Sequence, residues 1–77
     1  MKVNYFGEIA DITGKTDDDV VLNNASVSAL LAYLASTYNL LSDDIHIAVN
    51  HQLVSKEKEI QLTETDEIAV LSPFAGG

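Results

Sequence analysis

The most distinctive chemistry in this sequence lies in its last seven residues, LSPFAGG, at positions 71–77. A terminal carboxyl group has a pKa of about 3.5 in peptides, so it is ionised at neutral pH and is a poor electrophile. Gly76 and Gly77 lack Cβ atoms, which lets them pass through a narrow channel and lets other backbones approach closely. The sequence therefore predicts a Gly77 carboxylate that a second protein must activate before it reacts.

Residues 72–77 are predicted to project as an extended tail. Pro73 fixes its own φ angle and disfavours helical geometry at Ser72, so the chain should not fold back there. A frayed terminus would be expected to drift into polar residues. Here Phe74 and Ala75 precede the two glycines, which favours contact of the tail with a partner.

A phosphate-binding loop is suggested by GEIADITGKT, residues 7–16, but its spacing is wrong. Such a loop has four residues between its two glycines, and this segment has six. It also needs a helix N-terminus that faces the phosphate, whereas Asp17, Asp18 and Asp19 follow directly and would repel an anion. We therefore reject a phosphate-binding loop in this segment.

Metal binding and catalysis are not indicated by the remaining polar residues. The run from Asp17 to Asp19 is interpreted as a solvated turn, because consecutive side chains on an extended chain point apart. His46 and His51 have no third ligand at a recognisable spacing, so they are interpreted as surface histidines. No acid–base–nucleophile set can be assembled by spacing. The chain is predicted to be non-catalytic, without a metal or bound cofactor.

The charge of the chain excludes one class of partner. Its formal net charge is −8, from twelve acidic residues and four lysines, with no arginine. Nucleic-acid binding is excluded because phosphates must be neutralised by basic side chains. The acidity has two open explanations, which are solubility and electrostatic steering toward basic partners.

A cytoplasmic location is expected from what the sequence lacks. There is no cysteine, which fits a reducing compartment. The first residues, MKVNYFGE, do not resemble a signal peptide. No stretch approaches the roughly 20 apolar residues that span a bilayer, so no membrane contact is predicted.

Hydrophobic periodicity predicts the secondary-structure elements that position the tail. The predicted elements are a strand at 2–7, a short helical turn through Ile9 and Ile12 that closes at Gly14, a strand at 19–22, a helix from the N-cap Ser26 to Asn39, a hairpin at 45–55 turning at Asn50 and His51, and a strand at 67–71. One main helix can cover only one face of such a sheet. We therefore expect a single α+β domain over residues 1–77, with a mixed sheet of about five strands.

The uncovered face of this sheet is a candidate docking surface. Alternation places Ile68 and Val70 with the helix, which leaves Leu71 and Phe6 facing outward. Leu53 is a third candidate, because the parity of a hairpin residue depends on its register. Apolar side chains clustered beside a reactive tail suggest a partner rather than isolated exposure. The alternative for Phe6 is burial under a loop.

Three segments carry a resemblance to a known family. KVNYFG at the start, AVNHQLV in the middle and DEIAVLSPFAGG at the end resemble the small subunits of molybdopterin synthase, which belong to the ubiquitin-like sulfur carriers. The resemblance covers essentially the whole chain and implies the β-grasp fold. The family often has two prolines before the tail, and Ser72 stands here in place of the first.

The resemblance implies a sulfur-transfer cycle. An activating enzyme would use ATP to adenylate the Gly77 carboxylate, and sulfur would then convert it into a thiocarboxylate. The tail would enter the large subunit of the synthase, in a heterotetramer, and donate its sulfur to a cyclic pterin precursor. Residues expected to contact partners are Phe6, Leu53, Leu71, Pro73, Phe74 and Ala75, with Gly76 leading to the reactive Gly77.

Two alternative functions remain open from the sequence. A sulfur carrier for thiazole synthesis would use the same tail chemistry with another acceptor, although such carriers tend to lack the EIADITG segment. A ubiquitin-like modifier would join its tail to lysines and normally has a longer tail than the six residues after Leu71. The presence of the EIADITG segment and the short tail both favour molybdopterin synthesis.

Overall fold

The computed structural model describes residues 1–73 of the 77-residue chain. Its elements are β1 (Lys2–Tyr5), α1 (Glu8–Thr13), β2 (Asp17–Asp19), α2 (Val27–Tyr38), a 3-10 turn (Ser42–Asp44), β3 (His46–Val49), β4 (Gln52–Leu53) and β5 (Ile68–Leu71). They form one five-stranded sheet in the order β2-β1-β5-β3-β4. The pair β1 and β5 is parallel and the other pairs are antiparallel. The predicted mixed sheet is therefore confirmed.

The main helix, α2, begins and ends as its sequence predicts. The Ser26 side chain accepts a hydrogen bond from the Ala29 N–H at 3.1 Å, which satisfies one of the unpaired donors of the first turn. At the other end Asn39 adopts a left-handed conformation with φ 58°. Val27, Leu30 and Leu34 are fully buried, so this stripe of α2 covers the inner face of the sheet.

The central strands show the alternation that the sequence predicts. Val3 and Tyr5 of β1, and Ile68 and Val70 of β5, are all buried in the core beneath α2. Their neighbours along each strand point to the opposite face, because successive side chains of a strand alternate. The outward face of β1, β5, β3 and β4 is thus available for contacts.

The hairpin between β3 and β4 turns where the sequence predicts. Asn50 and His51 both have positive φ, at 52° and 70°, as a two-residue turn of type I′ requires. Hydrogen bonds to the loop before β5 stabilise the turn. The Asn50 side chain accepts a hydrogen bond from the Glu67 N–H and donates one to the Asp66 carboxylate. This register pairs Ala48 with Leu53.

Two strand boundaries differ from the sequence-based expectation. The first strand ends at Tyr5, because Gly7, with φ 54°, turns the chain into α1. The second strand was predicted at 19–22 but lies at Asp17–Asp19, where it pairs with β1. The interpretation of the three aspartates as a solvated turn is therefore wrong. Within residues 1–73, no helix is long and apolar enough to cross a bilayer.

Candidate functional site

A shallow concave surface lies on the outward face of the sheet. Its cavity has a volume of about 420 Å³. The lining residues are Asn4, Phe6, Ala48, His51, Leu53, Glu67, Ala69 and Leu71; we call this set the concave face. Phe6 is 48% exposed and Leu53 is 67% exposed, so two large apolar side chains stand open to solvent at one place.

The strand register explains the concave shape. One row across the four strands consists of Asn4, Ala69, Ala48 and Leu53, which are paired in that order. The two alanines at the centre of this row are short, and Ala48 is almost fully buried. The longer side chains beside them extend further from the sheet, which leaves a depression that an apolar group can fill.

The next row places Leu71 beside Phe6. Tyr5 is level with Val70 in the parallel pair, and the Phe6 N–H donates to the Val70 carbonyl at 3.1 Å. Phe6 thus continues the pairing past the end of β1 and brings its ring level with Leu71. Both residues lie beside the point where the chain leaves β5 toward its tail.

One edge of the concave face is polar. His51 Nε2 lies 3.2 Å from Glu67 Oε2, and both side chains are largely exposed. An apolar centre with a polar rim is the usual arrangement of a protein-binding surface. The arrangement suits a partner that inserts an apolar side chain and meets polar groups at the border.

The structure brings three of the predicted contact residues together. Phe6, Leu53 and Leu71 all line the concave face, and the alternative that Phe6 is buried under a loop is wrong. Pro73 is half-buried at the end of the described chain. The remaining predicted site residues lie outside the described residues; they are Phe74, Ala75, Gly76 and Gly77. Whether any of these residues binds a partner stays a prediction.

Sequence reasoning missed the two alanines that form the floor of the concave face. Ala48 and Ala69 carry no chemical signal of their own. Ala69 follows from the alternation of β5, which also placed Leu71 outward. Ala48 required the register of the hairpin, which the sequence left undetermined.

The root of the tail is buried and hydrogen-bonded. Ser72 is 4% exposed, and its hydroxyl donates to Glu8 Oε2 at 3.4 Å. Glu8 belongs to the first turn of α1. The short helix after β1 therefore contacts the residue that leads from the sheet into the tail.

A second polar cluster holds the edge of the sheet to α2. The Oδ2 atom of Asp18 accepts hydrogen bonds from the hydroxyls of Tyr5, Tyr33 and Tyr38, at 3.0 to 3.1 Å. Lys15 Nζ lies 3.5 Å from the other carboxylate oxygen. The Asp18 side chain is only 13% exposed, so this aspartate is a structural acceptor rather than a solvated charge.

The cluster shifts the pKa values of Asp18, Tyr33 and Tyr5. Burial opposes the charged form of Asp18, but hydrogen bonds from the three tyrosines, with Tyr38 and Tyr33 foremost, outweigh it and lower the pKa of this carboxyl. Burial, followed by the hydrogen bond to Asp18, raises the pKa of Tyr33 to about 12. Burial, followed by the negative charge of Asp18 and the hydrogen bond to it, raises the pKa of Tyr5. The hydroxyls of Tyr5 and Tyr33 therefore remain donors at neutral pH.

The polar residues considered for metal binding are dispersed. Asp17 and Asp19 flank Asp18 on the opposite side of β2, as alternation requires. His46 and His51 are both exposed. Among residues 1–73, no group of three or more His, Cys, Asp or Glu side chains could hold a metal ion.

The sheet order with its covering helix defines the ubiquitin-like β-grasp fold, and solved structures share it. SAMP1 from Haloferax volcanii superposes with a TM-score of 0.74 at 20% identity, covering 99% of this chain and 97% of that one. A protein from Pyrococcus furiosus, provisionally named molybdopterin converting factor, subunit 1, gives a TM-score of 0.73 at 25% identity, covering 94% of each chain.

Sequence comparison identifies the family. The model of the ThiS family matches residues 3–77, so this chain belongs to the ThiS family. It is also 27% identical to the molybdopterin synthase sulfur carrier subunit of Dictyostelium discoideum, over 100% of this chain and 95% of that protein. The resemblance to ubiquitin-like sulfur carriers that the sequence indicated is confirmed.

Proposed function

We propose that this chain is a sulfur carrier in molybdenum cofactor biosynthesis and acts as the small subunit of a molybdopterin synthase. The proposal is supported by the family match over residues 3–77 and by the name of the Dictyostelium relative, which aligns over the full length of this chain. The structural observation that carries it is the concave face, an exposed apolar surface beside the strand that leads into the diglycine tail.

The proposed cycle follows from the inertness of a carboxylate. An activating enzyme transfers AMP from ATP to the Gly77 carboxylate and releases pyrophosphate, which gives a mixed anhydride with a good leaving group. Sulfur at the sulfide level then attacks the Gly77 carbonyl carbon and displaces AMP, which leaves a thiocarboxylate on Gly77. The large synthase subunit receives this tail, and the thiocarboxylate sulfur bonds to a carbon of a cyclic pterin precursor in place of an oxygen substituent. Water then cleaves the bond between the Gly77 carbonyl carbon and the sulfur, which restores the carboxylate.

The concave face is proposed to dock both partners in turn. Phe6, Leu53 and Leu71 supply exposed apolar surface, and Ala48 and Ala69 leave a depression between them. Because the activating enzyme and the large subunit would cover the same surface, they should compete for the carrier. Exchange between them then requires dissociation, which suits a carrier that alternates between loading and donation.

In this proposal the chain presents a reactive atom and its partners perform the catalysis. The ATP site belongs to the activating enzyme, and the acid–base groups of sulfur transfer belong to the large subunit. Docking a rigid domain converts the reaction of the tail into an effectively intramolecular one. A heterotetramer of two small and two large subunits and a cytoplasmic location complete the proposal.

Two other functions would use the same fold. A thiazole-synthesis carrier would share the tail chemistry but deliver sulfur to a different acceptor. A protein modifier is suggested by the names of the archaeal structures, such as small archaeal modifier protein 1 of Methanosarcina acetivorans at 23% identity. A likeness at that identity supports the fold alone, so the modifier function has less support than the sulfur-carrier function.

Intact mass spectrometry separates a carrier from a modifier. The full chain is incubated with its activating enzyme, ATP and a sulfur donor, and its mass is compared with a variant that lacks Gly77. We expect the mass to rise once per chain by the difference between sulfur and oxygen, in the C-terminal peptide only. The variant should not change. Formation of larger lysine conjugates instead of a thiocarboxylate would contradict the proposal.

A further inference from the structure

The chain leaves β5 with a polar side chain turned toward the interior. Ile68 and Val70 are fully buried, and alternation places Ser72 on their side of the strand. Ser72 is itself only 4% exposed. A buried hydroxyl needs hydrogen-bond partners, because an unsatisfied polar group is costly in the interior. The start of the tail is therefore tied to the groups that Ser72 contacts.

One acceptor for this hydroxyl lies on α1. Ser72 Oγ donates to Glu8 Oε2 at 3.4 Å, and Glu8 occupies the first turn of α1. The next residue, Ile9, is 1% exposed within the core, which fixes the rotation of this turn. The Phe6 N–H also donates to the Val70 carbonyl. The entry to α1 is thus joined to the end of β5 through both backbone and side chain.

We propose that Glu8 is a positioning residue for the C-terminal tail, and that its bond to Ser72 sets the direction in which the chain leaves the sheet. Pro73 follows with a fixed φ angle, so an orientation set at Ser72 is passed on to the next peptide unit. The inference rests on the proposed function, because the direction of the tail matters when its end must enter a partner's active site. A displacement of about 1 Å at a reacting group can reduce a rate on the order of a hundredfold.

Three variants separate positioning from charge. Glu8→Ala removes the acceptor, and Glu8→Gln retains an acceptor oxygen without the charge. Asp11→Ala is the matched control, because Asp11 is exposed, lies in the same turn and carries the same charge. Each full-length variant is assayed for thiocarboxylate formation by the activating enzyme, with the carrier concentration varied to separate kcat from KM.

The expected result is a selective loss of turnover. Glu8→Ala should lower kcat roughly tenfold while KM changes little, because the docking surface is intact and only the tail is misdirected. Glu8→Gln should restore kcat to near the wild-type value, and Asp11→Ala should match wild type. The inference is overturned if Glu8→Ala keeps wild-type kcat, if Glu8→Gln fails to rescue it, or if Asp11→Ala loses as much.

A second measurement does not depend on sulfur transfer. Backbone ¹⁵N relaxation reports the order of the Leu71 and Ser72 amides on the picosecond to nanosecond timescale. Glu8→Ala should lower the order parameters of both amides, and Glu8→Gln should not. Unchanged order in Glu8→Ala would overturn the inference. If wild type itself forms no thiocarboxylate, the proposed function fails, while relaxation still decides whether Glu8 orders the root of the tail.

Discussion

Truncation of Phe6 tests whether the concave face docks partners. Phe6 is 48% exposed, and an aromatic side chain buries about 200 Å² when fully covered, so roughly 100 Å² remains for a partner to cover. At about 25 cal/mol per Å², this surface could contribute on the order of 2.5 kcal/mol, an upper value because association has costs of its own. Phe6→Ala keeps the Cβ atom and should weaken binding by about 2 kcal/mol, or roughly thirtyfold in Kd.

Isothermal titration calorimetry against the large subunit and the activating enzyme measures this loss. Val21→Ala is the control, because Val21 is 83% exposed and does not line the concave face. It should bind both partners as wild type does, and thermal unfolding should show that both variants are folded. If Phe6→Ala binds both partners within threefold of wild type, the concave face is not the docking surface.

Leu71→Glu should leave the fold intact, because Leu71 points outward and is half-buried. It should weaken binding to both the large subunit and the activating enzyme, and unchanged affinity by calorimetry would exclude Leu71 from the docking surface. Asp18→Ala should lower the free energy of unfolding by about 3 kcal/mol, because three tyrosine hydroxyls lose their acceptor. Urea unfolding measures this loss, and a loss below about 0.5 kcal/mol, which is typical of a surface substitution, would contradict the prediction. The pKa of Asp18 is lowered in the folded chain, so the unfolded chain binds more protons in acid and stability should fall as the pH drops below about 4. Asp18→Asn should show a shallower acid limb in pH-dependent unfolding. One residue added after Gly77 should abolish sulfur transfer and leave Tm unchanged, whereas an active extended protein would argue against a terminal thiocarboxylate.

Alternation allowed much of the fold and part of the site to be predicted from the sequence. β1 and β5 are central strands with one face under α2, and their buried residues repeat every second position. This period also identified Phe6 and Leu71 as outward, without knowledge of which strands are neighbours. The helix boundaries were equally local, because Ser26 and Asn39 act on the turns beside them.

The Asp18 cluster could not be predicted, because its partners come from distant parts of the chain. Tyr5 lies on β1, while Tyr33 and Tyr38 lie on α2. Only the folded arrangement brings three hydroxyls to one carboxylate, and that arrangement lets an aspartate occupy a half-buried strand position. The β-strand propensity of Val20 and Val21 favoured a strand at 19–22, but pairing with β1 places the strand at Asp17–Asp19. The bond from Ser72 to Glu8 was missed for the same reason, since it joins residues 64 positions apart.

The most direct test of the proposed function is a single-turnover sulfur transfer. The carrier is loaded as thiocarboxylate, purified, and mixed in separate reactions with the large synthase subunit and cyclic pterin precursor, or with a thiazole synthase and its substrates. We predict that the intact mass returns to that of the carboxylate in the first reaction, with sulfur appearing in the pterin product, and stays unchanged in the second. Retention of the thiocarboxylate with the large subunit, or its consumption only by the thiazole enzyme, would contradict the account.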